Sequence, residues 1–327
     1  MIRHLGGDNY MTDKNKPYIL VWGVSVYDIF GFTNANYKTH DSNPGNIKVS
    51  FGGVCRNIAE NMARVGIETK FISILGDDER GKSILKYSQD INLDMNHSLI
   101  IKGKNTPTYM AILNQNGEMV SAVIDMTITE EITQDFVDLK SEIIKNSSYM
   151  VLDTDNPDIL DYIVNNYKEK TNLILDPVSS AKAEKIKHLI KYFHTIKPNR
   201  CEAEVLCGFK IETIEDVRKA GKYFIDLGIK NVFISLDCDG VYYNNGREEG
   251  IVKSNNVCVV NVTGAGDSLV AGLGYGYMHN LSIKDTIKYA IAMSVITISH
   301  EETIHPDMEL KLVQKYIKEC NWTETEF

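Results

Sequence analysis

Two glycine-bearing stretches of this 327-residue chain carry residue types that bind phosphate. The first, GDDERGKS (Gly76 to Ser83), fits G-x-x-x-x-G-K-[ST], in which loop N–H groups and a lysine surround phosphate oxygens. The apolar run KFISIL precedes it, and YMVLD further on would serve as an acidic strand end for magnesium. Its interior opposes that chemistry. Asp77, Asp78 and Glu79 would crowd a triphosphate, each like-charge pair at ~4 Å costing about 1 kcal/mol in water and more when desolvated. No glycine lies between Gly76 and Gly81 to admit close approach. A strand followed by a helix whose acidic N-terminus complements its dipole is the better reading.

The second stretch, NVTGAGDSLVAGLGYG (Asn261 to Gly276), suits phosphate better. A strand-like VCVVNV leads into Gly264-Ala265-Gly266, and an apolar helix begins near Asp267. Small residues allow close backbone approach, and free N–H groups at a helix start form an anion hole. A carboxylate at its lip can take a proton from an incoming hydroxyl while the N–H groups hold charge developing on a transferring phosphoryl group. Taken alone, Asp267 also suits a helix cap. Gly272, Gly274 and Gly276 predict tight helix packing beside the site.

These residues need a scaffold. YILVWGVSV (18–26), KFISIL, YMVLD (149–153), NLILD (172–176), HTIKP (194–198) and NVFISL (231–236) read as strands separated by helical patterns. In VCRNIAENMARVG (54–66), Ile58, Met62 and Val65 share a helical stripe, and Gly66 suits the position after the helix. The rhythm predicts a parallel sheet covered by helices on both faces. Segments 30–50 and 106–126 break it. The second alternates around Asn116-Gly117, a two-residue hairpin signal, and the two predict a small β-lid.

Composition narrows the function classes. A net charge of −9 argues against nucleic acid or an anionic membrane as partner, and no apolar run reaches the ~20 residues of a membrane helix. The N-terminus lacks a signal-peptide core, so a cytoplasmic chain with a flexible tail over residues 1–16 is expected. The six cysteines form no C-x-x-C and read as free thiols, and the scattered histidines make a Cys/His metal site improbable.

TGAGDSLVAG closely resembles the signature of the PfkB, or ribokinase-like, family of carbohydrate and nucleoside kinases. FGGVCRNIAENMARVG resembles the family's N-terminal signature and KPNRCEAEVLCG its N-x-x-E motif; LGDDERG is itself a usual family stretch. The resemblance runs from about Tyr18 to the final helix. It implies a ribokinase-like three-layer αβα sandwich over residues 17–327, with a mostly parallel central sheet and a small β-sheet lid. It implies ATP and Mg²⁺ as requirements and a small sugar or nucleoside as acceptor. Within the family, GGVCRNIAENMARVG, TYMAILNQNGEMVSAVIDM and LDPVSSAKAEK resemble the branch that phosphorylates pseudouridine on its 5′-hydroxyl. Branches acting on ribose, fructose or adenosine/inosine-type nucleosides share parts of these strings. A sugar or nucleoside sensor without catalysis is the rival from another class, opposed by the intact Asp267 and glycine run.

The resemblance also implies roles. Asp267 would be the base, with Gly264, Ala265 and Gly266 as anion hole. Asp28 would hold the ribose hydroxyls, Gly52, Gly53 and Asn57 would reach the sugar, and Asp153 would touch substrate. Asn199 and Glu202 would organise Mg²⁺ through water. Ser235, Gly240, Thr263 and Gly266 would contact ATP, as would Asn199, and AIAMSVITISHEETIHP would wall the adenine. Asp237 stands where glycine is common, and Asn261 where many members carry Asp near a monovalent-cation site; with Thr263 retained, K⁺ activation is an expectation. Ser179, Lys182 and the lid segment are candidates for reading the base. An exposed lid with an apolar face points to a homodimer through the lid.

Overall fold

A computed structural model describes residues 16–255 and 257–327. The tail expected over 1–16 therefore lies, apart from Lys16, outside the described residues. In chain order the strands are β1 Ile19–Trp22, β2 Val26–Thr33, β3 Gly45–Gly52, β4 Thr69–Ile72, β5 Ile74–Gly76, β6 Leu99–Ile101, β7 Thr108–Leu113, β8 Met119–Asp125, β9 Tyr149–Leu152, β10 Asn172–Leu175, β11 Thr195–Ile196, β12 Asn231–Ser235, β13 Val241–Asn244, β14 Glu249–Ser254 and β15 Trp322–Glu326. The helices are α1 Val54–Arg64, α2 Glu79–Asp90, α3 Gln134–Leu139, α4 Ser141–Lys145, α5 Pro157–Tyr167, α6 Ser180–Ile186, α7 Arg200–Cys207, α8 Ile214–Asp226, α9 Ala265–Met278, α10 Ile283–Ile298 and α11 Leu310–Glu319.

The main sheet runs β15-β14-β13-β12-β11-β10-β9-β1-β4. β4, β1, β9, β10, β11 and β12 are parallel, while β13, β14 and β15 add antiparallel. Alternation along each strand feeds both faces. Leu20 and Trp22 of β1 belong to the core on one face, shared with α5 and α8, whereas Ile19 and Val21 belong to the core on the other, shared with α1, α9 and α10. The strand order reverses between β1 and β9, and in open α/β sheets ligands bind beyond the carboxyl ends of strands at such a point.

β2, β3, β7 and β8 form the lid, in the order β3-β2-β7-β8. The run expected as one strand over 18–26 breaks at Gly23–Ser25, so β1 stays in the main sheet and β2 leaves for the lid. The hairpin after β7 is not the two-residue form. Asn114 N–H donates to Glu118 O (2.9 Å) and Gly117 N–H to Asn114 O (2.9 Å), with Gly117 at φ +80°. The Asn114 side chain accepts from the N–H groups of Asn116 (2.8 Å) and Glu118 (3.0 Å), which stabilises a three-residue loop.

VCVVNV is not a strand. Val257, Val259, Val260 and Val262 are exposed, and the N–H groups of Val260 and Asn261 go to Ile298 O at the end of α10 (2.8 and 3.2 Å). The free edge of β14 that this run would have needed is taken by β15.

GDDERGKS is the root of the lid. Asp78 caps α2 by accepting from Gly81 N–H (2.9 Å) and also accepts from Thr106 Oγ1 (2.6 Å) and N–H (3.1 Å), just before β7. Burial works to raise its pKa, but those hydrogen bonds hold it below the ordinary value. Arg80 donates to Thr108 Oγ1 (2.8 Å). Lys82 is 63% exposed and pairs with Glu79 at 2.5 Å. A Cβ at Gly76 would strike Lys104 O, and one at Gly81 would strike Gly76 O, so the glycine spacing serves close packing.

Candidate active site

The carboxyl ends of the parallel strands gather charged groups. Asp153 follows β9, Asp176 follows β10, Lys197 follows β11 and Ser235 ends β12. Over them sits the start of α9. Gly264 is its N-cap at φ +82°, a left-handed conformation that glycine adopts without penalty. Ala265 N–H turns to Val262 O (3.3 Å), whereas those of Gly264 and Gly266 meet no acceptor among the described residues. The expected three-donor hole is thus drawn here with one donor engaged. α9 reaches its neighbours through its glycines: a Cβ at Gly272 would strike Ala290 of α10, and one at Gly274 would lie 2.5 Å from Met62 Cε of α1.

Asp267 lies in the first turn of α9, and Asn57 Nδ2 donates to its Oδ2 at 2.8 Å. Asn57 is buried on α1 rather than solvated. Burial raises the Asp267 pKa to about 7, and the neighbouring Asp176 charge adds to this. Asn57, Lys197 and Arg56 act in the opposite direction. A carboxyl poised near neutrality, partly buried beside free N–H groups, has the character of a general base.

Asp28 lies on β2 with its carboxylate over Gly52, where any Cβ would collide with Oδ2. Burial lifts its pKa to about 6, against the pull of Arg56. Gly53, at φ +104°, caps α1 against Val24 O. Asp153 is buried with Oδ2 unpartnered, and burial followed by the Asp155 charge pushes its pKa up. Asp155 pairs with Lys182, so that candidate base reader is already engaged by a carboxylate. Ser179 caps α6 (3.4 Å to Lys182 N–H).

Asn199 and Glu202 form a reciprocal capping box at the start of α7, each side chain accepting from the other's N–H at 2.9 Å. Glu202 is buried rather than an exposed helical acid, and burial raises its pKa. Asn199 bridges Ser235 across the strand ends. Asp237 holds φ +51°, a left-handed backbone that disfavours a side chain. Gly240 (φ +96°) keeps β13 tight against Val252 O. Asn261 accepts from Thr263 N–H (3.0 Å) and donates to Glu301 O (2.9 Å), while Thr263 itself is exposed.

Sequence reasoning missed Lys197 and Asp176. They form a buried ion pair at 3.0 Å, and a Cβ on Gly266 would lie 2.8 Å from Lys197 Nζ, so the ammonium abuts the glycine turn. Burial would lower the Lys197 pKa, but Asp176, Glu202 and Asp267 overcome this and keep it raised. The available signal was positional: Asp176 ends its strand as Asp153 does, and Lys197 closes a strand two residues before Asn199.

The profile described as pfkB family carbohydrate kinase matches residues 16–310. A pseudouridine kinase of Escherichia coli is 33% identical over 311 residues, 94% of this chain and 99% of the relative. A crystal structure of a candidate sugar kinase from Clostridium perfringens is 58% identical at a TM-score of 0.93, covering 96% of this chain and 99% of the other. The structure of Arabidopsis thaliana ribokinase complexed with ribose and ATP shares the fold at a TM-score of 0.79 and 22% identity, covering 92% and 99% of the two chains. The expected ribokinase-like architecture is therefore present. With its strand-end charges, glycine turn and neutral-range carboxyl, this chain belongs to the pfkB family of carbohydrate kinases and is an ATP-dependent sugar or nucleoside kinase.

Proposed function

We propose that this kinase transfers the γ-phosphoryl group of ATP to the 5′-hydroxyl of pseudouridine, giving pseudouridine 5′-phosphate and ADP. The observation that carries the transfer is the Asp267 carboxyl, fixed by Asn57 at the head of α9 beside the Gly264–Gly266 turn. The choice of pseudouridine is supported by similarity over nearly the whole length of the Escherichia coli enzyme.

In this reading Asp28 accepts from vicinal ribose hydroxyls and Asp153 Oδ2 offers a further acceptor. On the lid face that carries Asp28, Phe30 and Tyr109 stand edge to face at 6.0 Å, an apolar roof for a base. Asp267 takes the 5′-hydroxyl proton as the new O–P bond forms and the bond to the ADP oxygen breaks. Lys197 and the Gly264 and Gly266 N–H groups hold the charge of the moving phosphoryl group. Ser235, Gly240 and Thr263 would contact the nucleotide. A magnesium ion would neutralise phosphate charge. Asn199 and Glu202 would organise such an ion through water: Glu202 is a buried carboxylate on which the Asp176 charge acts, and among the described residues no cluster of three or more His, Cys, Asp or Glu is placed to hold a metal. Mg²⁺ keeps several waters and needs no such cluster. The Asn261–Thr263 region would be the place for a monovalent cation. No helix among the described residues is long and apolar enough to cross a membrane.

A substrate panel with γ-labelled ATP tests the choice. Pseudouridine should exceed uridine, ribose, fructose and inosine in kcat/KM by at least about tenfold, a gap of about 1.4 kcal/mol. A higher value for a simple sugar removes pseudouridine and leaves the kinase assignment intact.

The same reading includes a homodimer through the lid. On the lid face opposite Asp28, strand register aligns Ile29, Val49, Met110 and Val123, with Ile47 alongside. Ile47 is 77% and Val123 70% exposed, a contiguous apolar patch suited to a second copy. Val123→Glu should convert a dimer to a monomer in light scattering. A wild-type mass equal to one chain would remove the dimer.

A further inference from the structure

We infer that Arg56, one residue before Asn57 on α1, is a positioning residue for phosphoryl transfer: it orients the Asn57 amide so that its NH₂ end faces Asp267. This rests on the reading of Asp267 as base.

The four groups form a continuous line. Glu60 Oε2 accepts from Arg56 Nη2 at 2.6 Å, Arg56 Nη2 approaches Asn57 Oδ1 at 3.4 Å, and Asn57 Nδ2 donates to Asp267 Oδ2 at 2.8 Å. An amide has two chemically different ends. A guanidinium donates only, so the end facing Arg56 must be the oxygen, and the nitrogen is thereby directed at the carboxylate. Rotating the amide would set NH₂ against guanidinium and carbonyl oxygen against carboxylate, two repulsive contacts in place of two favourable ones.

The guanidinium is itself fixed. Its side chain is 5% exposed against 1% for Glu60, and its plane lies over Phe51 and Tyr87, 5.9 and 6.0 Å from their ring centres. Glu60 Oε1 accepts from Arg64 Nε and Tyr87 OH, each at 2.8 Å. One carboxylate therefore serves two guanidinium groups, and the Arg56 charge also acts on Asp28 and Asp267. Arg56 Nε is buried with no acceptor. An arginine kept for stability alone would be expected to satisfy that donor. Asp267 is faced by Asp176 after β10, Lys197 after β11 and Arg56 from α1, so Arg56 is one of two cations acting on it.

The test compares Arg56→Met, Asn57→Ala and the double variant in kcat, KM and the pH profile of kcat/KM. Arg56→Met should lower kcat at least tenfold, leave both KM values within twofold and move the acid limb to higher pH. In the Asn57→Ala background the added loss should fall below twofold, because the amide it orients is gone. Unchanged kcat, a KM rise matching the kcat loss, or the same loss in both backgrounds overturns the inference. If Arg56→Met does not fold, Arg56→Gln, whose amide can donate or accept and so no longer dictates which end of Asn57 faces Asp267, is judged by the same kcat, KM and additivity criteria. Asp267→Asn in the same assay separates the two ideas. An active Asp267→Asn defeats the base assignment, whereas an inert one beside an unaffected Arg56 variant defeats only the role of Arg56.

Discussion

Asp267→Asn should lower kcat by about 10²–10⁴-fold, the range a positioned general base supplies, with little change in KM for the acceptor. The amide is nearly the size of the carboxylate, so packing of α9 against α1 should survive, and the protein should melt as the wild type does. In the proposed transfer, what is lost is the acceptor for the 5′-hydroxyl proton. The pH profile follows from the same group. Below about 7 the wild-type carboxyl is protonated and cannot accept; above it the charged base is present. The kcat/KM of wild type should therefore fall as the pH drops below about 7, and Asp267→Asn should lose this group's share of that limb and keep the shares of Asp28 and Asp153. Full turnover in a folded Asp267→Asn protein, or an acid limb near 4, would refute the assignment. The physical origin is burial first, reinforced by Asp176, which Asn57, Lys197 and Arg56 only partly counter.

Lys197→Met should give a large loss of stability. Lys197 and Asp176 are 6% and 5% exposed and lie 3.0 Å apart. Removing one partner of a buried pair strands the other, at a cost of about 3–5 kcal/mol. For a chain of this length that corresponds to a fall in Tm of roughly 4–7 °C by calorimetry. Adding Asp176→Asn should recover part of the loss, because a neutral buried amide needs less compensation than a carboxylate. Turnover should fall as well, since the ammonium beside Gly266 would no longer face the phosphoryl group. A Tm within about 2 °C of wild type would mean that water reaches Asp176 and that the pair is not buried in solution.

Much of the scaffold was legible from local order. Most strands and helices of the αβ rhythm follow from apolar spacing, although KFISIL divides at Ser73 into β4 of the main sheet and β5, which pairs with β6, and Ile58, Met62 and Val65 do fill the core with Gly66 just past α1. A helix start near Asp267, found at Ala265, and the close packing of Gly272 and Gly274 were also readable, because propensity and side-chain size act within a few residues. GDDERGKS shows the limit of a motif. Its letters fit a phosphate loop, yet its glycines and Asp78 serve the root of the lid, since Thr106 arrives 28 residues later to bind that carboxylate.

The primary sequence alone thus determined the layers, the α9 turn and the kinase family. Tertiary structure decided what depends on neighbours distant in the chain. Asn57 meets Asp267 across 210 residues, Lys197 pairs with Asp176 only because two strand ends lie side by side, and the valine run after β14 stays out of the sheet because β15 fills its edge. The reason is electrostatic and topological together. A charge's partner and its pKa depend on which groups exclude water around it, and that arrangement exists only once the strands are paired.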